Sequence, residues 1–219
     1  MFDHKKVSID PKGHGNPVTF LINNRYLAEP RFIPITFGSD SQVIEPTPGL
    51  DYSTYDLDVL GRNEERTQKI VDLAQKAAQR HPRTIVFCPS VESALECSSL
   101  LTSRQVKNGV VTASTAIEDR HKLLDDFRSD SNDHMVLFNY GVLTAGFDAP
   151  RTSCAIIARP TTSLVLYSQM VGRAMRGPMV GGNRTAEIFT VADTNLPGFG
   201  SVTDAFTNWE DLWSNNSPT

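Results

Sequence analysis

Gln169-Met170-Val171-Gly172-Arg173-Ala174-Met175-Arg176-Gly177 sets two arginines three residues apart, with a glycine just before the first. Residues three apart share one face of a helix, so the spacing predicts two guanidiniums side by side. Arginine stays charged at any working pH, and its planar fork of donors suits phosphate oxygens. Gly172 would allow a second backbone or a nucleotide to come close. An amphipathic helix with ordinary surface arginines has the same spacing, so the pair needs a second observation beside it. Upstream, Val142-Leu143-Thr144-Ala145-Gly146-Phe147-Asp148-Ala149-Pro150 provides one: a glycine-relieved loop that ends in a carboxylate.

Working outward, apolar runs alternate with helical stripes. Thr84–Cys88 is a short run of β-formers that reads as a strand buried on both faces. Residues 109–112, 134–138, 153–157 and 186–191 read as further strands. Asn63, followed by Glu64 and Glu65, caps a helix whose stripe is Ile70, Val71, Ala74, Ala77 and Ala78. His81-Pro82 ends it. A second helix covers about 91–103 after Pro89-Ser90. Thr115 and Glu118 make a capping box for a third helix through Arg128, with Leu123, Leu124 and Phe127 inward. Ser163 or Thr162 caps the helix that carries Gln169 to Arg176. Before this core, Pro17 opens a short helix that Asn24 ends. Arg31–Phe37 then alternates as a strand that Pro34 keeps at an edge. Residues 1–16 read as a flexible lead-in, 38–62 as loop, and 203–213 as an amphipathic tail helix carrying Phe206, Trp209 and Leu212. The alternation implies an α/β fold, a parallel sheet with helices on both faces. Ligands of such sheets bind beyond the carboxyl ends of the strands, where the loop after 134–138 falls.

The chain has 219 residues, 39% hydrophobic and 21% charged, enough for one good domain plus an extension. No run approaches the ~18 apolar residues of a membrane span, and residues 1–6 lack the apolar stretch of a signal peptide. Cys88, Cys97 and Cys154 are odd in number and widely spaced. They read as reduced thiols of a cytoplasmic protein, neither a disulfide frame nor a zinc site. The five histidines show no metal-ligand spacing. A net charge of −4 argues against strong nonspecific nucleic-acid binding by the whole surface, though not against a local basic track.

Three segments together resemble the superfamily 2 helicases and translocases. Gln169…Gly172-Arg173…Arg176 matches motif VI, Q-x-x-G-R-x-x-R; Thr144…Gly146…Asp148 matches motif V; Thr84–Cys88 followed by Ser90 is similar to motif IV. Gly-Phe-Asp-Ala-Pro is most similar to the branch of restriction-enzyme motor subunits and bacterial repair helicases. The resemblance covers roughly 64–192, with a weaker echo at 17–35. It implies a second RecA-like motor domain over 63–219, tail helix included, preceded by a lead-in and interdomain linker over 1–62.

Site expectations follow from the residues and the resemblance together. Arg173 and Arg176 would be arginine fingers for ATP held mainly by a first RecA-like domain of the same polypeptide, and Gln169 would position the helix or bridge the cleft. Asp148 beside Gly146 could accept from ribose hydroxyls, or be a plain turn residue before Pro150. Thr144 and Ser90 could hold phosphates of a nucleic-acid strand; a simple N-cap is the other reading of Ser90. The family places Arg120 near the motor cleft; a surface ion pair is its other reading. There is no G-x-x-x-x-G-K-[ST] phosphate loop and no D-E-x-H or D-E-A-D box. Half an ATPase site is therefore missing. The simplest account is a second motor domain taken from a longer polypeptide, with ATP and Mg2+ belonging to the full-length enzyme and neither bound by this piece alone. DNA is favoured over RNA as the nucleic acid. A non-catalytic nucleic-acid or protein-binding module with a motor-like fold is the alternative.

Overall fold

The computed structural model describes residues 17–38, 51–144 and 146–193. Six strands form one sheet: β1 (Glu29–Phe37), β2 (Arg83–Phe87), β3 (Asn108–Val111), β4 (Met135–Asn139), β5 (Thr152–Ile157) and β6 (Thr185–Asp193). Their order is β1-β6-β5-β2-β4-β3, and every pairing is parallel. Helices are α1 (Pro17–Asn23), α2 (Thr54–Gly61), α3 (Glu64–Ala78), α4 (Val91–Ser103), α5 (Ile117–Arg128) and α6 (Leu164–Gly172), with a 3-10 turn at Pro178–Val180.

Alternation along the central strands sorts two cores. Ile85, Phe87, Leu137, Ala155 and Ile157 face Leu124, Phe127, Tyr167, Met170 and Val171 on one side of the sheet. Val86, Cys88, Val136, Phe138 and Ile156 face Ile70, Val71, Ala74, Ala94, Cys97 and Leu101 on the other. The stripe expected on α3 is buried in full. All three cysteines are free and buried. Burial pushes the Cys154 thiol up to about 12. It also lifts Tyr52, with help from the charges of Asp51 and Asp193, to about 12.

Two arginines are fully buried. Arg83 donates to the carbonyls of Phe127, Ser129, Pro82 and Asp133, which ties the α5–β4 turn to the start of β2. Burial, and then the charge of Arg151, lowers its pKa. Arg66 donates from Nε to Asp193 Oδ1 at 2.9 Å, from Nη2 to Asp193 Oδ2 at 3.1 Å, and from Nη2 to Ala158 O at 2.5 Å. This joins α3 to the carboxyl ends of β5 and β6.

Three expectations meet the structure differently. The stretch expected as loop over 38–62 contains α2. Ser53 accepts from Asp56 N at 3.2 Å and Asp56 accepts from Ser53 N at 3.2 Å, a capping box that starts a helix despite its polar surroundings. The box expected at Thr115 and Glu118 does not form. Thr115 Oγ1 accepts from Thr112 N at 2.9 Å instead, and α5 begins at Ile117 after an uncapped Ala116. Of the residues expected inward on α5, Leu124 and Phe127 are buried and Leu123 is partly so. β1 is the edge strand that Pro34 suggested, and it pairs along its whole length with β6. The third difference, at the end of α6, belongs to the site. The lead-in 1–16 and the tail helix 203–213 lie outside the described residues. No helix among the described residues is long and apolar enough to cross a membrane.

Candidate nucleotide and nucleic-acid site

Ser163 caps α6, its hydroxyl accepting from Leu166 N at 3.2 Å. The helix then stops at Gly172, short of both arginines. Arg173 is its C-cap, and its N–H and that of Ala174 turn back to carbonyls only three residues earlier. Arg176 lies beyond, in an isolated bridge with Leu27. The two guanidiniums are therefore not stacked on one helical face, as their spacing predicted. The cause is backbone competition: Ala28 N donates to Met175 O and Gly177 N to Tyr26 O, both at 3.0 Å, which draws the chain out of the helix. Gly177 fits only because it is glycine, since a Cβ would come within 2.2 Å of Arg25 O. Gly182 closes the other side, where a Cβ would meet Arg176 O at 2.0 Å.

The arginines still converge, through the loop after β4. Arg173 donates from Nη1 to Phe147 O and from Nε to Gln169 O at 3.3 Å. Arg176 Nε donates to Asp148 Oδ1 at 3.0 Å, an ion pair with both side chains substantially exposed. Its two terminal nitrogens have no partner among the described residues. Burial, and then the neighbouring charge of Arg176, lowers the Arg173 pKa; Asp148 acts the other way. Gly172 and Gln169 are exposed beside them, and a Cβ at 172 would meet no atom within 4 Å. Nothing in the described fold requires glycine there.

Asp148 does not lie at the carboxyl end of the sheet. The loop descends the sheet face, and Arg128, the last residue of α5, donates to Asp148 O at 2.9 Å shortly before β5 begins. Arg128 also stacks 5.1 Å from the Phe147 ring centre. Thr144, at the other end of this loop, lines a cleft of about 540 Å3 with Arg120, His121, Gly141, Gly146 and Phe147. Gly146 holds φ +67, a left-handed turn that favours glycine. Arg120 sits in this cleft and donates to Thr112 O at 2.5 Å. The predicted residues thus form two groups: Thr144 and Gly146 in the cleft, and Asp148, Gln169, Gly172, Arg173 and Arg176 around the guanidiniums. Ser90 joins neither. It is buried, its hydroxyl caps α4 by accepting from Ser93 N at 3.1 Å, and Gly61 of α2 covers it. Among the described residues no group of three or more acidic, histidine or cysteine side chains could hold a metal ion.

Residues 65–178 match the helicase conserved C-terminal domain, and the chain belongs to that family. A candidate ATP-dependent helicase of Saccharomyces cerevisiae, IRC3, is 25% identical over 158 residues, which is 71% of this chain and 22% of that protein. The chain therefore spans less than a quarter of the length of that relative. A fragment of a candidate HsdR subunit of a type I restriction enzyme from Vibrio vulnificus YJ016 superposes with a TM-score of 0.63, at 23% identity, over 85% of this chain and 35% of that one. Saccharomyces cerevisiae Dbp5 bound to RNA and ADP BeF3 superposes with a TM-score of 0.52, at 17% identity, over 66% of this chain and 36% of that one. These two likenesses establish the fold, and with the family match it is a C-terminal RecA-like helicase domain.

Proposed function

We propose that the chain is the second motor domain of an ATP-dependent nucleic-acid helicase or translocase, and that Arg173 and Arg176 act on ATP held by a first RecA-like domain of the same polypeptide. In this reading residues 1–62 lead from that first domain and 63–219 are the second. One observation carries it. Arg173 and Arg176 converge on the Phe147–Asp148 segment beside an exposed glycine at 172 that no packing inside the described fold demands.

Each residue then has a task. The carbonyls of Phe147 and Gln169 hold the Arg173 guanidinium at a fixed height. Asp148 holds Arg176 by Nε alone, which leaves the planar fork to meet phosphate oxygens. Two cations fixed before the reaction stabilise charge as it develops on a transferring phosphoryl group, without reorganising at that moment. Gly172 lets the partner domain close, Gln169 bridges to it, and Asp148 Oδ2 remains for a ribose hydroxyl. Mg2+ would sit with the first domain. Thr144, with Arg120 nearby, would hold strand phosphates in the cleft, while Ser90 reaches a strand only if α2 withdraws. DNA is the preferred strand, on the similarity of Gly146–Pro150 to restriction-enzyme motors; the RNA in the Dbp5 complex keeps RNA as the competing outcome.

The test is steady-state kinetics in the full-length protein. Arg173→Ala and Arg176→Lys each lower kcat by at least ~100-fold and shift ATP affinity by less than ~10-fold, because the fingers act on the transition state. Normal kcat in folded Arg176→Lys enzyme would refute the proposal.

A further inference from the structure

We infer that Tyr140 and Arg159 form an additional contact for a single nucleic-acid strand, extending the Thr144 cleft across the carboxyl edge of the sheet; the inference rests on the nucleic-acid motor reading above. Tyr140 follows β4 and Arg159 follows β5, with β2 between them. The ladder continues one residue past the strands, through Cys88 N to Asn139 O at 2.9 Å and Ala158 N to Phe87 O at 3.0 Å. That continuation brings the two side chains together, and the Arg159 guanidinium carbon lies 5.5 Å from the centre of the Tyr140 ring.

Arg159, partly buried, differs from the other partly or fully buried arginines in making no hydrogen bond among the described residues; Arg66 and Arg120 also keep one buried nitrogen without an acceptor, but each donates from another. Arg66, Arg83, Arg104, Arg151 and Arg173 all donate to carbonyls, amides or carboxylates. Arg159 makes no hydrogen bond or ion pair among the described residues, and its Nε is buried without an acceptor. An unmet buried donor on a cation is costly, and an arriving anion relieves it. The aromatic ring beside it gives the site its second character. Cation and ring together match a phosphodiester backbone with an adjoining base, the pairing that sequence-tolerant single-strand tracks use.

Continuity selects a strand over a nucleotide. Gly141, next to Tyr140, lines the cleft that holds Arg120 and Thr144. It has φ +66, and a Cβ there would meet no atom within 4 Å, so the path between the two sites is open. Arg128 and Phe147 line the other end of that cleft and hold Asp148 and Arg173, so Tyr140 and Arg159 lie at the end of the cleft away from the Asp148–Arg176 pair.

Fluorescence anisotropy with a labelled oligothymidylate, titrated between about 50 and 200 mM salt, tests this on the whole chain. Wild-type binding is weak, near ~10⁻⁴ M at physiological salt, and tightens as salt falls. Arg159→Gln weakens it about fivefold at 0.1 M salt and flattens the log–log salt slope by ~0.7, the share of one phosphate. Arg159→Lys keeps the wild-type slope. Tyr140→Leu weakens binding about fivefold or more with the slope unchanged. If the wild-type chain binds and the Gln and Leu variants bind as it does, the inference is overturned while the Thr144 cleft stands. If Lys flattens the slope as much as Gln, the loss is structural and the inference also falls. If the wild-type chain does not bind even at low salt, the motor reading fails first and takes the inference with it.

Discussion

Removing the carboxylate of Asp193 should destabilise the domain by about 3–5 kcal/mol, because it strands a buried cation. Arg66 is 1% exposed and Asp193 8%. Their two parallel bonds, at 2.9 and 3.1 Å, satisfy Nε and Nη2, and Nη2 also reaches Ala158 O. Nη1 is buried with no partner among the described residues, so the guanidinium has no spare acceptor there to turn to when the carboxylate goes. In a protein of this length about 1 kcal/mol moves the thermal midpoint by ~2–4 °C. Asp193→Ala should therefore lower Tm by about 6–20 °C in circular dichroism melts of the chain. Arg66→Met strands the carboxylate and should cost a similar amount. The double variant Arg66→Met with Asp193→Leu removes both charges and fills the space, so it should be less destabilised than either single variant, a large departure from additivity. Single variants that melt within ~2 °C of wild type would show the pair to be solvated, and a double variant worse than both would show that packing rather than charge is at stake.

The chain alone should turn over no ATP, since it contains no phosphate loop and, in the proposed function, its arginines would act on a nucleotide held by another domain; steady turnover that Arg176→Ala abolishes would contradict this. Alkaline pH should weaken the fold. Tyr52 and Cys154 are raised in the folded state to about 12, from ordinary values of 10.0 and 9.0. Above pH ~9 the unfolded chain sheds these protons first, so the stability they hold is complete below that pH and is lost as pH rises toward 12. Denaturant midpoints measured from pH 8 upward should fall less steeply in Tyr52→Phe and in Cys154→Ala than in wild type, and an equal slope in all three would refute the assignment.

The sheet was legible because its central strands are buried on both faces and therefore read as continuous apolar runs. Asn63, Ser90 and Ser163 marked helix starts by the simplest chemistry available, one side-chain oxygen meeting an orphan N–H. The same rule applied too eagerly placed a capping box at Thr115, where the hydroxyl had a nearer donor in Thr112 N. Applied too sparingly it missed α2, although Ser53 and Asp56 stand at the required spacing. That helix was hidden by its glycine- and proline-rich neighbours, and a polar loop composition does not exclude a short capped helix inside it.

The geometry of the candidate site was illegible in the sequence, and Arg176 shows why. Local spacing put it on a helix face with Arg173; a segment about 150 residues earlier decides otherwise. Arg25 O accepts from Met179 N, Tyr26 O accepts from Gly177 N, and Ala28 N donates to Met175 O, so the linker strand is laced along the residues on either side of Arg176. Asn183 N then closes on Arg176 O at 2.8 Å. A helix cannot continue while its carbonyls and amides are taken in this way. In the proposed enzyme Arg176 would thus be positioned by the stretch that leads from the first motor domain, and the phosphate it would meet would be held by that same domain. Gly177 is what permits the contact, because any side chain there would displace the Arg25–Tyr26 backbone. No periodicity announces such a contact, since it belongs to neither segment alone. Arg159, without an acceptor among the described residues, was unreadable for the same reason, because a missing acceptor is a property of the packed molecule.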